Sequence, residues 1–168
     1  MNEQHEALGE GRALPSVQVD MEVGSPSASE RELIVLVGCN HTGKHTYLKQ
    51  YYQRLGLDQY MHLSYGFIEQ RGMHPCEQRA HMDRVKRLDY PGLPNPYMFV
   101  TYSPYIVDEL HSTEVICFHK SKGGRYYRGS LQLHPDIEWG MQTLTVGEFW
   151  DAVGEDWLEE YGEDVTQL

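Results

Sequence analysis

The sequence has few cysteines and no long apolar stretch, and each shortage excludes a class of protein. Its three cysteines, at positions 39, 76 and 117, are odd in number and widely spaced, so a disulfide framework is not expected. The longest strongly apolar run, Leu33 to Val37, is far shorter than the roughly 20 residues of a membrane span. Residues 1–30 also lack the basic start and apolar centre of a secretory signal. We therefore expect a cytoplasmic protein without membrane contacts.

Basic residues are missing from the end of the chain. Residues 136–168 hold ten acidic side chains and no lysine or arginine, whereas residues 31–135 have a small positive excess. Contacts to nucleic-acid phosphates need clustered lysine and arginine, so direct nucleic-acid binding is not expected. The acidic segment 136–168 has two interpretations. It is either a solvated surface or a patch that meets a basic protein partner.

Strand and helix patterns alternate along the chain and predict a layered α/β fold with a mainly parallel central sheet. A polar start, residues 1–13, is expected to be disordered, and residues 14–168 form one domain. The patterns predict strands at 17–23, 33–37, 97–101 and 114–119, helices at 46–55, 76–88 and 104–110, a hairpin turn at 122–125, and a helix pair over 146–161 broken near Gly154.

The residues that follow the apolar strand fit a phosphate-binding P-loop. Gly38, Gly43 and Lys44 have the spacing Gly-x-x-x-x-Gly-Lys, and the motif lies between a buried strand and a helix, which is the context it requires. The glycines let backbone N–H groups curl around a phosphate, and the helix N-terminus adds partial positive charge. The candidate nucleotide-binding residues are Gly38, Asn40, His41, Thr42, Gly43, Lys44, His45 and Thr46.

One position in the loop departs from the P-loop rule. A serine or threonine normally follows the lysine and places its hydroxyl on Mg²⁺, but here His45 follows Lys44 and Thr46 comes one place later. Imidazole is a poor ligand for Mg²⁺, which prefers oxygen. Either the loop no longer holds a metal or a nucleotide binds with little or displaced Mg²⁺. The spacing of His74, Cys76 and His81 does not make a compact zinc pattern, so no dedicated metal site is expected.

Three segments, taken in order, match one family pattern. They are the loop at Gly38, Asn40, Gly43 and Lys44, the run Gly-Phe-Ile-Glu at 66–69 with Arg-Gly-Met-His-Pro at 71–75, and the run Thr-Tyr-Ser-Pro that opens 101–110. They resemble the P-loop, the Walker B strand with its following Leu-His-Pro, and the Thr-His-Ser-Pro switch of ABC-type ATPase heads in the OLD/RecF-like AAA family. The resemblance covers residues 17–158 in outline. It implies a P-loop NTPase-like three-layer sandwich that binds ATP or another nucleoside triphosphate.

The departures from that family pattern imply that hydrolysis is weak or lost. Where the family has an Asp-Glu pair, only Glu69 is present, and the switch histidine is replaced by Tyr102, which carries no positive charge. These two are the candidate catalytic residues. The chain also has no Ser-Gly-Gly signature, and the helical subdomain that the family places before its Walker B strand is missing. Since loss of one catalytic group costs roughly 100-fold or more, several losses imply a degenerate ATPase.

Three functions stay open at this point. The first is a nucleotide-binding protein with weak or no hydrolysis that regulates or partners a full-length ATPase, in DNA maintenance or anti-phage defence by family analogy. The second is a pseudo-ATPase that ignores nucleotide and binds or inhibits another protein through its acidic segment. The third is an active NTPase that uses Glu69 or His45 in a rearranged site.

Two smaller features have competing interpretations. Cys39 lies within the loop and is either a reactive thiol, because helix N-termini lower the thiol pKa, or a small residue in place of the family's proline. Lys120, Lys122, Arg125 and Arg128 form a basic hairpin, which is expected to be solvated surface.

Overall fold

Five strands form one sheet in the part of the chain that the computed structural model describes, residues 31–57, 73–87 and 94–167. The strands are β1 (Leu33–Val37), β2 (Tyr97–Val100), β3 (Val115–Lys120), β4 (Tyr126–Ser130) and β5 (Glu163–Asp164). The α-helices are α1 (Lys44–Arg54), α2 (Pro75–Lys86), α3 (Pro104–Val107), α4 (Ile137–Gly140), α5 (Val146–Val153) and α6 (Leu158–Tyr161). The expected α/β class is confirmed.

The sheet is mixed, which corrects the expectation of a mainly parallel one. Its order is β2-β1-β3-β4-β5, and β1 pairs in parallel with both β2 and β3. The pairs β3–β4 and β4–β5 are antiparallel. The turn predicted at 122–125 explains the change, because so short a connection can join only antiparallel neighbours, whereas parallel strands need a crossover. The parallel part is therefore limited to β2, β1 and β3.

Helices cover both faces of the sheet, since the side chains of β1 alternate between two separate apolar clusters. On one face Leu36 packs with Leu48 and Tyr52 of α1. On the other face Leu33, Val35 and Val37 belong to a larger cluster. That cluster also contains Met82 and Val85 of α2, Ile106 and Val107 of α3, Phe149 and Trp150 of α5 and Leu158 of α6. The result is the helix–sheet–helix layering that the sequence predicts.

Helix α1 begins two residues earlier than expected, at Lys44, because Gly43 is its N-cap in a left-handed conformation. Helix α2 has the capping box that its sequence contains, with Pro75 in the first turn and His74 as N-cap. The predicted break in the C-terminal helix pair is present at Gly154, whose φ is +61°. The second helix of that pair is only the short α6.

A contact between α3 and α5 holds the C-terminal helices against the sheet. Gly147, in the first turn of α5, donates its N–H to Asp108 Oδ1 at 2.8 Å. A Cβ atom at Gly147 would lie 2.1 Å from the carbonyl oxygen of Pro104, so the two helices are closer than any side chain permits. Asp108 also forms an ion pair with Arg79 of α2 at 3.5 Å. Three helices are therefore joined at one point on this face.

Several expectations fall on residues that the structure does not describe. They are the disordered start at 1–13, the strand at 17–23, the Walker B-like run at 66–69 with its Glu69, and the interval in which the family places its helical subdomain. These stay predictions.

Candidate functional site

The glycine-containing loop connects the carboxyl end of β1 to the start of α1, as the motif predicts. Gly38 has a φ of +126°, and a Cβ there would lie 2.2 Å from the carbonyl oxygen of Phe118 in the neighbouring strand. Gly43 has a φ of +93° and turns the chain into the helix. His41, with a φ of +62°, is the one residue with positive φ other than glycine in the described chain. The loop thus has the tight curvature that presents backbone N–H groups to an anion.

Lys44 points back into this loop. Its side chain is almost fully buried, and Nζ donates hydrogen bonds to the carbonyl oxygens of Gly38 at 2.6 Å and Cys39 at 2.5 Å. The hydroxyl oxygen of Thr42 lies 3.3 Å from the same ammonium group. The positive charge therefore sits at the centre of the loop, held by oxygens that the loop itself supplies.

Tyr102 lies at the same edge of the sheet as the loop, because β2 runs parallel to β1 and ends at Val100, shortly before Tyr102. Its hydroxyl donates to Asn40 Oδ1 at 2.8 Å, and its ring centroid is 4.8 Å from Lys44 Nζ. Three residues chosen from sequence, Asn40, Lys44 and Tyr102, are thus in mutual reach. The second catalytic candidate, Glu69, lies outside the described residues.

His45 and Thr46 follow Lys44 on the exposed side of α1. Burial, and secondarily the charge of Lys44, lower the pKa of His45 below its ordinary value, so the imidazole is neutral at neutral pH. A neutral imidazole beside a lysine does not supply the oxygen ligands that Mg²⁺ requires. Among the described residues, no group of three histidine, cysteine or carboxylate side chains is arranged to hold a metal ion. Directly after Lys44 the loop thus has an imidazole in place of the hydroxyl group that usually binds Mg²⁺.

The acidic segment reaches the loop through Glu155. One carboxylate oxygen of Glu155 accepts a hydrogen bond from the Cys39 thiol at 3.8 Å, and the other accepts from Trp150 Nε1 at 2.9 Å. The charge of Glu155, with a smaller contribution from burial, raises the pKa of the Cys39 thiol. A raised pKa disfavours the nucleophilic thiolate. The carboxylate of Glu155 therefore opposes the thiol activation that the helix N-terminus would supply.

The same segment also contacts the basic hairpin. Arg128 pairs with Glu163 at 2.8 Å, and His119 lies 3.0 Å from Glu159 and 3.5 Å from Asp156. The side chain of Arg128 is only 15% exposed, so the expectation that all four basic side chains of the hairpin are solvated is wrong at this position. Part of the acidic segment is thus neutralised within the chain.

A cavity of about 450 Å³ adjoins the loop on the side of α1. Its walls come from three regions, the loop with the first turns of α1, the strands β3 and β4, and the residues after β5. The lining residues are His41, Thr42, Gly43, Lys44, His45, Thr46, Tyr47, Gln50, Phe118, Tyr126, Val165 and Thr166. Its volume lies within the range of small-molecule sites.

Six residues of this cavity were not predicted from the sequence, and a sequence pattern could have indicated only two of them. Tyr47 and Gln50 follow the motif on α1, one and four residues after its end, and a helical projection would have placed them near it. Phe118, Tyr126, Val165 and Thr166 are distant in sequence and reach the cavity only through the order of strands in the sheet.

No protein-family model, curated protein or solved structure matches this chain. In the described ranges, no helix has both the length and the apolar character needed to cross a membrane. The function is therefore inferred from the loop, its lysine and the adjoining cavity.

Proposed function

We propose that this protein binds ATP or another nucleoside triphosphate through the loop 38–46 and hydrolyses it weakly or not at all. The observation that carries the proposal is the buried ammonium group of Lys44 at the centre of a glycine-bent loop that opens a helix. Loop N–H groups, the helix N-terminus and this lysine together favour a bound phosphate.

Phosphate would bind by exchange. Lys44 Nζ is held by the carbonyl oxygens of Gly38 and Cys39, and phosphate oxygens would replace these acceptors. Charge-assisted hydrogen bonds to an anion are stronger than those to a neutral carbonyl, which provides the driving force. Mg²⁺ would bind with a degraded ligand set, because His45 occupies the position of its usual hydroxyl ligand.

Weak hydrolysis follows from the side chains around the loop. Tyr102 stands where the resembled family has its phosphate-sensing histidine, and its hydroxyl is engaged with Asn40. The nearby carboxylate of Glu155 is engaged by Cys39 and Trp150. We infer a regulatory role in the cytoplasm, as a partner of a full-length ATPase in DNA maintenance or anti-phage defence. That role rests on the family resemblance alone, with segment 136–168 as the surface for a protein partner.

Thermal unfolding with and without ATP tests the proposal on the full chain. Ligand at about 100 times its Kd stabilises the folded state by roughly 2.7 kcal/mol, which for a chain of this size raises Tm by about 5–10 °C. Lys44→Ala is expected to abolish the increase. Lys49→Ala is the matched control, since Lys49 is an exposed lysine on the same helix. An increase that survives in Lys44→Ala would place the nucleotide elsewhere.

One observation favours the second candidate, a pseudo-ATPase that binds or inhibits a protein partner without nucleotide. The loop already satisfies Lys44 with three of its own oxygen atoms, so it is stable without a phosphate. Under this candidate neither ATP nor inorganic tripolyphosphate changes Tm. The third candidate, an active NTPase that uses Glu69 or His45, requires phosphate release that is lost in Glu69→Gln or His45→Ala.

A further inference from the structure

The cavity beside the loop lies where the rest of a phosphate-bound ligand would extend. It begins at the loop residues Thr42, Gly43 and Lys44, so the position for phosphate and the cavity are continuous. The ring of Tyr126 stands at their junction, with its Cδ1 atom 3.9 Å from the position of a Cβ on Gly43. A ligand with phosphate in the loop must place its remaining atoms in this cavity or in solvent.

The walls of the cavity match the chemistry of a nucleoside. Tyr47 and Tyr126 supply partly exposed aromatic rings, and the buried ring of Phe118 packs behind Tyr47 with the two centroids 5.4 Å apart. The hydroxyl group of Thr46 and the carboxamide of Gln50 supply hydrogen-bonding groups suited to sugar hydroxyls and base edges. Flat apolar walls with a few polar groups are typical of cofactor sites.

The far wall is a segment of the C-terminal end held in place by specific contacts. Thr166 Oγ1 accepts a hydrogen bond from the backbone N–H of Tyr126 at 2.9 Å, and the N–H of Val165 donates to the carbonyl oxygen of Tyr126 at 2.8 Å. The same Thr166 hydroxyl donates to Asp164 Oδ1. Val165 and Thr166 therefore form one wall of the cavity, attached to the strand that carries Tyr126.

Positive charge at this wall favours a nucleotide over a neutral nucleoside. Lys120 Nζ, outside the cavity lining, lies 5.1 Å from the ring centroid of Tyr126, and Lys44 is one of the residues that line the cavity. Arg128 stands over the ring of Tyr47 at 4.7 Å, which fixes that ring as part of the wall. Cations in and near the cavity attract a ligand that carries phosphate.

We propose that this cavity, between α1, Tyr126 and the pair Val165 and Thr166, is the nucleoside subsite of the protein, which holds the base and ribose of a nucleotide whose phosphates occupy the loop. The inference rests on the proposed function. It adds that the protein selects nucleoside triphosphates over inorganic polyphosphate, and that the selectivity comes from residues outside the P-loop motif.

Titration calorimetry of the full chain with ATP and with sodium tripolyphosphate tests this inference. The wild type is expected to bind ATP about tenfold more tightly than tripolyphosphate, the effect of stacking one base on aromatic side chains. Gln50→Trp fills the cavity and should reduce ATP affinity to that of tripolyphosphate, with tripolyphosphate affinity unchanged within about twofold. Gln53→Trp is the matched control, because Gln53 is an exposed glutamine one turn further along α1, outside the cavity lining. It should leave both affinities unchanged.

The outcomes separate the two proposals. If neither compound binds, the proposed function fails and the subsite fails with it. If tripolyphosphate binds and ATP binds no more tightly, or if Gln50→Trp leaves the preference for ATP intact, the loop proposal stands and the subsite is overturned. Should Gln50→Trp fail to fold by circular dichroism, Tyr126→Ala decides by the same comparison, since it removes the aromatic ring at the junction.

Discussion

At the residue scale, the carboxylate of Glu155 controls the chemistry of the loop's thiol. It accepts the hydrogen bond of Cys39 and raises the pKa of that thiol, while Trp150 fixes its second oxygen. A negative charge at this position also opposes an approaching phosphate, since like charges repel. One side chain of the acidic segment therefore acts against both thiolate formation and anion binding at the same loop.

Neutralising Glu155 should make Cys39 more reactive. In Glu155→Gln the thiol pKa falls toward its ordinary value, so alkylation by iodoacetamide at pH 8 becomes faster by a few-fold, the size expected of one partly exposed charge. The rate is measured in a Cys76→Ser background, because Cys76 is also exposed whereas Cys117 is buried. The carboxamide introduced by the substitution keeps an oxygen for the Trp150 hydrogen bond. An unchanged rate would contradict the electrostatic account.

Also at the residue scale, the buried imidazole of His134 should make stability depend on pH. Desolvation lowers the pKa of His134 in the folded state, and its Nδ1 accepts a hydrogen bond from the backbone N–H of Asp136 at 3.0 Å. The unfolded chain therefore binds more protons as pH falls below the ordinary histidine value of 6.5. The contribution of neutral His134 to the free energy of unfolding is complete above that pH. It decreases below that pH, by at most about 1.4 kcal/mol over the first pH unit for one group.

Denaturant unfolding between pH 7.5 and 5.5 measures this loss, in a range where carboxylates stay ionised. His134→Asn does not titrate and retains an acceptor near the position of Nδ1, so its stability should fall less with acid than that of the wild type. A wild type that became more stable toward pH 5.5 would contradict the predicted direction of the pH dependence. An equal slope in both proteins would remove His134 as the cause.

At the element scale, the close approach of α3 and α5 is the contact most sensitive to one added methyl group. Gly147→Ala would place a Cβ atom 2.1 Å from the Pro104 carbonyl oxygen, and backbone at both positions must move. We expect a loss of about 1–3 kcal/mol in the free energy of unfolding. Gly123→Ala is the matched control, since its Cβ would meet only Ser121 Oγ at 3.7 Å. Chemical denaturation that ranks the two variants equally would disprove the packing argument.

Elements with local determinants could be predicted from the sequence. The strand β1 is an apolar run, the loop is fixed by Gly38, Gly43 and Lys44, and Pro75 marks the start of α2. The hairpin turn before β4 was visible as Lys-Gly-Gly-Arg. The effect of this turn on the sheet could not be predicted from the sequence. A predicted turn alone does not say which of the parallel strands pairs with an antiparallel neighbour.

Contacts between distant segments could not be predicted in the same way. Glu155 and Cys39 are 116 residues apart, and nothing near either residue indicates the other. Tyr126 and Thr166, which line the cavity, meet because Thr166 follows β5, and a two-residue strand has no periodicity to detect. The loop 38–46 of the candidate site could thus be predicted from the sequence, whereas the cavity beside it could be found only from the fold.

At the scale of the whole molecule, the acidic segment 136–168 makes charged contacts with the middle of the described chain. The acidic segment supplies Glu163 to Arg128 and Glu159 to His119, and it sends Glu155 to the loop. Folding therefore brings part of the segment's negative charge beside the basic hairpin. Partner binding through this segment would compete with these internal contacts, and the loop would respond to it through Glu155.

The short strand β5 has a consequence for self-association. It forms one outer edge of the sheet in the described part of the chain, and both of its residues, Glu163 and Asp164, are exposed and acidic. A second copy that added its own β5 there would bring two pairs of carboxylates together along a ladder only two residues long. Such an edge offers few backbone hydrogen bonds and strong repulsion, so it disfavours growth of the sheet into a continuous ribbon of molecules.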